Sequence, residues 1–143
     1  MIYDIVLAFL ATLTFAFMFN SPKKELLLCG FTGAFGWLFY EISYSLTGDL
    51  TIATFAHAIA VTALSRLLSF KRKNPITVYL ISGIIPIVPG SGIYYTAYHL
   101  LIRESSLAYS YGLDTLKTAG MISLGIMSVF SMPVKMFSWI SQR

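Results

Sequence analysis

The sequence predicts an all-α, polytopic membrane protein of five transmembrane helices, the fourth of them broken between Pro86 and Gly92. Three observations carry that prediction. The 143 residues are 57% hydrophobic and only 11% charged, against about 25% charged in a soluble domain, and mean hydropathy is +0.75. A globular core has no use for so much apolar surface. Apolar runs alternate with short connections that are basic on one side of the chain's path and acidic or mixed on the other. Inside the longest run, two prolines and two glycines fall within seven residues. The chain therefore reads as a single transmembrane domain over 1–143, with spans at about 2–19, 26–46, 50–70, 76–102 and 116–140.

The first span, Ile2 to Phe19, is followed by Asn20-Ser21-Pro22-Lys23-Lys24-Glu25. Its basic residues follow the apolar run, and Asp4 stands at the front, which favours a retained helix over a signal peptide. In the second span Gly30, Gly33 and Gly36 recur every three residues, giving a thin face for close helix contact. Gly33, Trp37, Glu41 and Tyr44 fall on one stripe, so Glu41 is expected to face protein or a cavity, or to reach water at the nearby helix end. A buried carboxylate in a membrane is costly and usually functional.

Thr47-Gly48-Asp49 makes a short turn into the third span. There Ala53, Ala56, His57, Ala60 and Ala63 form a small-residue face that turns His57 toward a neighbouring helix. His57 is either a hydrogen-bonded packing residue or, with Glu41, a proton-coupling residue. Arg66 lies near the far end and can snorkel. Lys71-Arg72-Lys73-Asn74-Pro75 is the strongest basic loop.

The fourth run, Ile76 to Ile102, has 27 residues, where roughly 20 suffice for a span. Pro86 and Pro89 each remove a helical N–H, which would free the carbonyls of Ser82 and Ile85. Gly90 and Gly92 permit backbone angles closed to other residues. Ser91 is placed to cap a second half-helix beginning near Ile93. Unwound backbone at mid-membrane needs protein or a watery cavity around it. Half-helices of this kind build substrate sites in secondary transporters, their N-termini facing anionic groups. Pro86, Pro89, Gly90, Ser91 and Gly92, with Tyr94 and Tyr95 just beyond, are accordingly the candidate substrate-binding residues. The competing reading is a proline kink that serves packing alone.

Arg103 to Asp114 reads as a mixed-charge loop, and the last span as Leu116 to Ile140. Lys117, Gly120, Leu124, Ser128, Ser131 and Lys135 share a stripe there, and Pro133 bends or ends it. Lys23, Lys24, Lys71, Arg72, Lys73 and Arg143 fall on one side of the five spans; Asp4, Asp49 and the Arg103/Glu104/Asp114 segment fall on the other. The positive-inside rule then places the N-terminus outside and the C-terminus in the cytoplasm.

The excess of four positive charges forms no long basic run with interleaved aromatics, so nucleic acid is not an expected partner. The lone Cys29 has no disulfide or metal partner in sequence and reads as a small packing residue. The sequence has no His-Glu-x-x-His, Gly-x-Ser-x-Gly or phosphate-binding Gly-Lys-Ser/Thr motif. Neither an enzyme nor a cofactor is expected.

Phe19-Asn20-x-Pro22, the cysteine and glycines of the second span, and above all Ile85-Pro86-Ile87-Val88-Pro89-Gly90-Ser91 with a following tyrosine carry a resemblance. The chain resembles the threonine/serine exporter (ThrE) family, in its small five-helix split subunit (YjjB-like, ThrE_2 type). The resemblance implies a cell-membrane subunit that exports a threonine/serine-type amino acid or a dicarboxylate such as succinate. It also implies a larger five-helix ThrE-type partner subunit carrying a cytosolic domain. A non-transporting assembly or scaffold subunit and a small homo-oligomeric channel are the alternatives.

Overall fold

The computed structural model describes residues 2–133. They form six α-helices and one 3-10 turn: α1 (Ile2–Met18), α2 (Leu26–Thr47), α3 (Leu50–Arg72), α4 (Thr77–Ile84), the 3-10 turn Ile85–Ile87, α5 (Gly90–Leu101) and α6 (Ser105–Phe130). By length and apolarity α2, α3 and α6 can each cross a bilayer, and α4 with α5 forms a pair bent by 51° at the break. The 17 residues of α1 make it shorter, about 26 Å against a hydrocarbon core of about 30 Å.

Local chemistry sets the helix ends. Asn20 takes a left-handed φ of 55°, and the Ser21 N–H returns to the Ala16 carbonyl at 3.0 Å, closing α1. Gly48, at φ 69°, ends α2 with its N–H on the Tyr44 carbonyl. Asp49 then caps α3, its carboxylate accepting from the Thr51 N–H at 2.7 Å. Lys73 in the left-handed region ends α3 ahead of Pro75.

Helices α1 to α4 pack as a bundle around α2, α6 lies along α3, and α5 packs on α6. Glycines let the backbones close in. Thr12 sits over Gly33, Val61 and His57 over Gly36, and a Cβ at Gly125 would come 2.6 Å from that of Ala58. The buried set includes Thr12, Thr32, His57, Thr62, Ser65 and Ser82 beside alanines, Val61, Ile87 and Ile122, while many of the large Leu, Ile and Phe side chains face outward. Lipid makes that arrangement favourable, because an apolar exterior costs nothing there. Thr32, Thr62 and Ser82 satisfy their hydroxyls on carbonyls of their own helices.

Two expectations change. The segment expected as a loop from Arg103 to Asp114 is helical from Ser105, and the connection is only Ile102 to Glu104, with Arg103 at φ 62°. Pairing with α5 is the reason: Thr96 packs on Gly112 and Tyr95 stacks on Tyr111 at 5.2 Å. The last span accordingly begins eleven residues before Leu116, at Ser105. Its expected end near Ile140, with Lys135 and Arg143, lies outside the described residues. At the break, Ile87 packs on Ala58 and Ile122, and Val88 shares a cavity with Trp37, Leu50 and Thr54, so the break faces α2 and the N-terminal half of α3.

Candidate functional site

The backbone of the break is more fully bonded than its prolines suggest. Pro86 occupies the middle of the 3-10 turn, and the Val88 N–H reaches the Ile85 carbonyl at 3.1 Å. The carbonyl expected to be freed by Pro89 is therefore taken. The Gly90 N–H bonds the Val88 carbonyl at 2.7 Å and the Ile93 N–H bonds the Pro89 carbonyl at 3.1 Å. Helix α5 thus starts at Gly90 with Pro89 as its N-cap, and Ser91 lies inside the first turn instead of capping it. Gly90 and Gly92 do not use positive φ; among the described glycines only Gly48 does. Gly92 is needed for another reason, since a Cβ there would collide with the Thr115 hydroxyl, whereas one at Gly90 would meet open space.

Two cavities flank Pro86. One, of about 310 Å³, is lined by Asp4, Leu7, Ala8, Ala11, Trp37 and Pro86. The other, of about 220 Å³, lies between Trp37, Tyr40, Leu50, Thr54, Val88 and Thr118. Trp37 stands between them, stacked on Tyr40 at 4.9 Å and edge-on to His57 at 6.3 Å. The Trp37 indole N–H is buried with no hydrogen-bond partner, and an unmet donor of that kind is costly to leave beside an apolar wall.

His57 is fully buried, and its Nε2 lies 3.1 Å from the Gly83 carbonyl in the last turn of α4. A carbonyl only accepts, so Nε2 carries the hydrogen and Nδ1, which has no partner, is the acceptor of the neutral ring. The residue thereby ties α3 to the turn before the break. Glu41 is half-buried one turn beyond Trp37, outside both cavities. Gly90, Ser91, Tyr94 and Tyr95 are exposed. Tyr94 stacks on Tyr98 and Tyr95 on Tyr111. The structure gathers Pro86, Trp37, Tyr40 and His57, and leaves the two tyrosines and Ser91 apart from them.

A second polar cluster, at the opposite, basic end of the bundle, went unread in the sequence. Glu25 is buried. Arg72 donates to its carboxylate from Nε, at 3.2 and 3.1 Å, with Nη2 in an ion pair 3.0 Å from Oε1, and the Tyr79 hydroxyl donates at 2.8 Å. The Asn74 amide supports the Tyr79 oxygen at 3.3 Å. The Arg72 guanidinium holds the Glu25 carboxyl below its ordinary value. The available signal was one carboxylate among the lysines that follow the first span. Among the described residues no group of His, Cys, Asp and Glu could hold a metal.

The family model described as Threonine/Serine exporter, ThrE, matches residues 4–132. No curated protein and no solved structure matches the chain.

Proposed function

The chain belongs to the threonine/serine exporter family, and from that premise we propose that this membrane protein is one subunit of an exporter of small carboxylate-bearing solutes. Threonine- or serine-type amino acids and dicarboxylates such as succinate are the substrate classes. The observation that carries the reading is the bent α4–α5 pair, whose Pro86 separates two cavities beside the unpartnered Trp37 indole. A transport family supplies solute to such cavities. The buried N–H donates to a solute oxygen in the cavities, and farther along the path, outside them, the amides opening α5 at Ser91 and Gly92 favour a carboxylate. Pro89, Gly90, Tyr94 and Tyr95 act as the wall and outer rim of the path. Glu41 and His57 are the proposed proton-coupling residues, His57 through its free Nδ1.

The chain crosses the cell membrane five times, with its N-terminus outside and its C-terminus in the cytoplasm. It works with a larger five-helix ThrE-type subunit carrying a cytosolic domain. Helix α5, which has no buried residue and exposes Tyr94, Tyr98 and Leu101, supports such assembly. The same face supports the alternative of a scaffold subunit or a homo-oligomer.

Trp37→Phe tests the site. It keeps the ring and removes the N–H. If the donor serves substrate, export of L-threonine or succinate by the complex falls several-fold to tenfold, the effect of about 1 kcal/mol. If the donor has no role, removing an unmet buried polar group leaves export at the parental rate and abundance unchanged or raised.

A further inference from the structure

Arg72 and Tyr79 hold a carboxylate in the manner of a binding site. A guanidinium approaches it with two nitrogens and a phenol donates to one of its oxygens, the planar arrangement in which arginine recognises carboxylates. The carboxylate they hold belongs to this chain. Glu25 stands at the N-cap position of α2 and makes no capping bond there, although an acidic side chain at that place ordinarily bonds the free amides of its own helix. It is turned instead toward α3 and α4.

Arg72 remains 43% exposed while Glu25 is only 7% exposed and Tyr79 is fully buried, so the guanidinium is the part reachable from the side of the lysines at 23, 24, 71 and 73. Those charges favour an approaching anion. Between the α1–α2 turn and α4, on a face that does not include Arg72 or Tyr79, a cavity of about 360 Å³ is lined by Asn20, Ser21, Pro22, Thr77, Val78 and Ser82. That is within the range of small-ligand sites and has hydroxyl and amide groups on its wall.

We propose that Arg72 and Tyr79 form a carboxylate-binding site at the basic end of the bundle, which Glu25 occupies until a solute carboxylate displaces it. The exchange breaks no covalent bond: the N–H donors of Arg72 and the O–H of Tyr79 pass from one carboxylate to the other. Released Glu25 no longer fastens the start of α2 to α3 and α4. The site is then a loading point and its occupant the latch. This inference rests on the exporter reading for its direction, but the site itself is testable without transport.

Cys29 is the native reporter. It is fully buried one turn above Glu25, its amide on the Glu25 carbonyl and its thiol on the Val78 carbonyl at 3.4 Å. In inside-out vesicles carrying the full chain with its partner, thiol labelling of Cys29 should be slow. L-threonine or succinate should speed it several-fold, and threoninamide, which has no carboxylate, should not. Glu25→Gln should raise the basal rate. Arg72→Gln should raise it too and abolish the response to either probe.

Transport in the same vesicles should split by sign. Glu25→Gln, lacking the internal competitor, lowers KM, whereas Arg72→Gln raises it on the order of tenfold, and Arg72→Lys and Tyr79→Phe raise it less. A merely structural ion pair would lose abundance or rate in both variants with KM unmoved. That result, or labelling equally accelerated by threoninamide, overturns the site. If no probe is transported at all, the exporter reading fails, and the labelling response alone decides this one. Should Glu25→Gln fail to accumulate, Arg72→Lys and Tyr79→Phe carry the same comparison.

Discussion

At the scale of single residues, the two glycines of the break separate cleanly. Gly90 has ordinary φ and open space where a Cβ would go, while Gly92 is pressed against Thr115. Gly90→Ala should therefore leave the purified complex's melting temperature close to parental. Gly92→Ala should destabilise by about 1–3 kcal/mol, the usual cost of overpacking, and Thr115→Ala should restore most of it in the double variant. Additive losses instead of rescue would show that the α5–α6 contact is not what Gly92 serves. His57 and Glu41 call for a different measurement. His57→Gln and Glu41→Gln should each flatten the pH profile of export if they carry the coupling proton. Profiles that keep the parental shape would leave His57 as the tie between α3 and Gly83, and Glu41 as a residue at a helix end.

At the scale of elements, the bend between α4 and α5 depends on Pro89 more than on its glycines. The proline supplies no N–H to Ile85 and is the residue from which α5 starts. Pro89→Ala allows the 3-10 turn to run into α5 as one helix. Export should fall at least several-fold while insertion and partner association survive; parental export at parental abundance would leave the break as a packing kink. The start of α2 and the end of α3 are fastened by the Glu25 clamp, whose carboxyl is depressed from an ordinary 4.5, first by the Arg72 hydrogen bond. A depressed native value means the clamp's stability is complete above the unfolded value and lost as pH falls through the native one. Melting temperatures of the wild type and Glu25→Gln should therefore differ most at neutral pH and converge as pH falls below 4.5 and through the depressed native value. A gap that stays constant into acid would show that the charge of Glu25 contributes nothing.

At the scale of the whole molecule, the two ends of the bundle have different chemistry. One gathers Lys23, Lys24, Lys71, Arg72 and Lys73 around the clamp; the other carries Asp49, Asp114 and the cavities at Pro86. With the basic end cytoplasmic, single cysteines at Lys71 or Lys73, on a Cys29→Ser background, should resist impermeant thiol reagents in intact cells, and one at Glu104 should react. Strong labelling at Lys71 would reverse the orientation.

The sequence by itself determined the all-α membrane class, the position of most helix ends, the broken pair and the family. Each of these rests on local or one-dimensional signals: apolar run length, Gly48 and Asp49 at the α2–α3 turn, and proline at 86 and 89. It also placed His57 against a neighbour, because alanines at helical spacing mark a contact face. Only the tertiary structure decided that Trp37 and Tyr40 meet Pro86, and that Ser91, Tyr94 and Tyr95 do not. The same holds for Glu25, Arg72 and Tyr79, which lie 47 and 54 positions apart from Glu25 along the chain yet share one carboxylate. Nor could spacing show that Arg103 to Asp114 continues as helix, since α5 supplies the packing that its mixed charges conceal. Periodicity reports which face of a helix is apolar or small; which helix comes to lie against that face is settled by packing between distant segments.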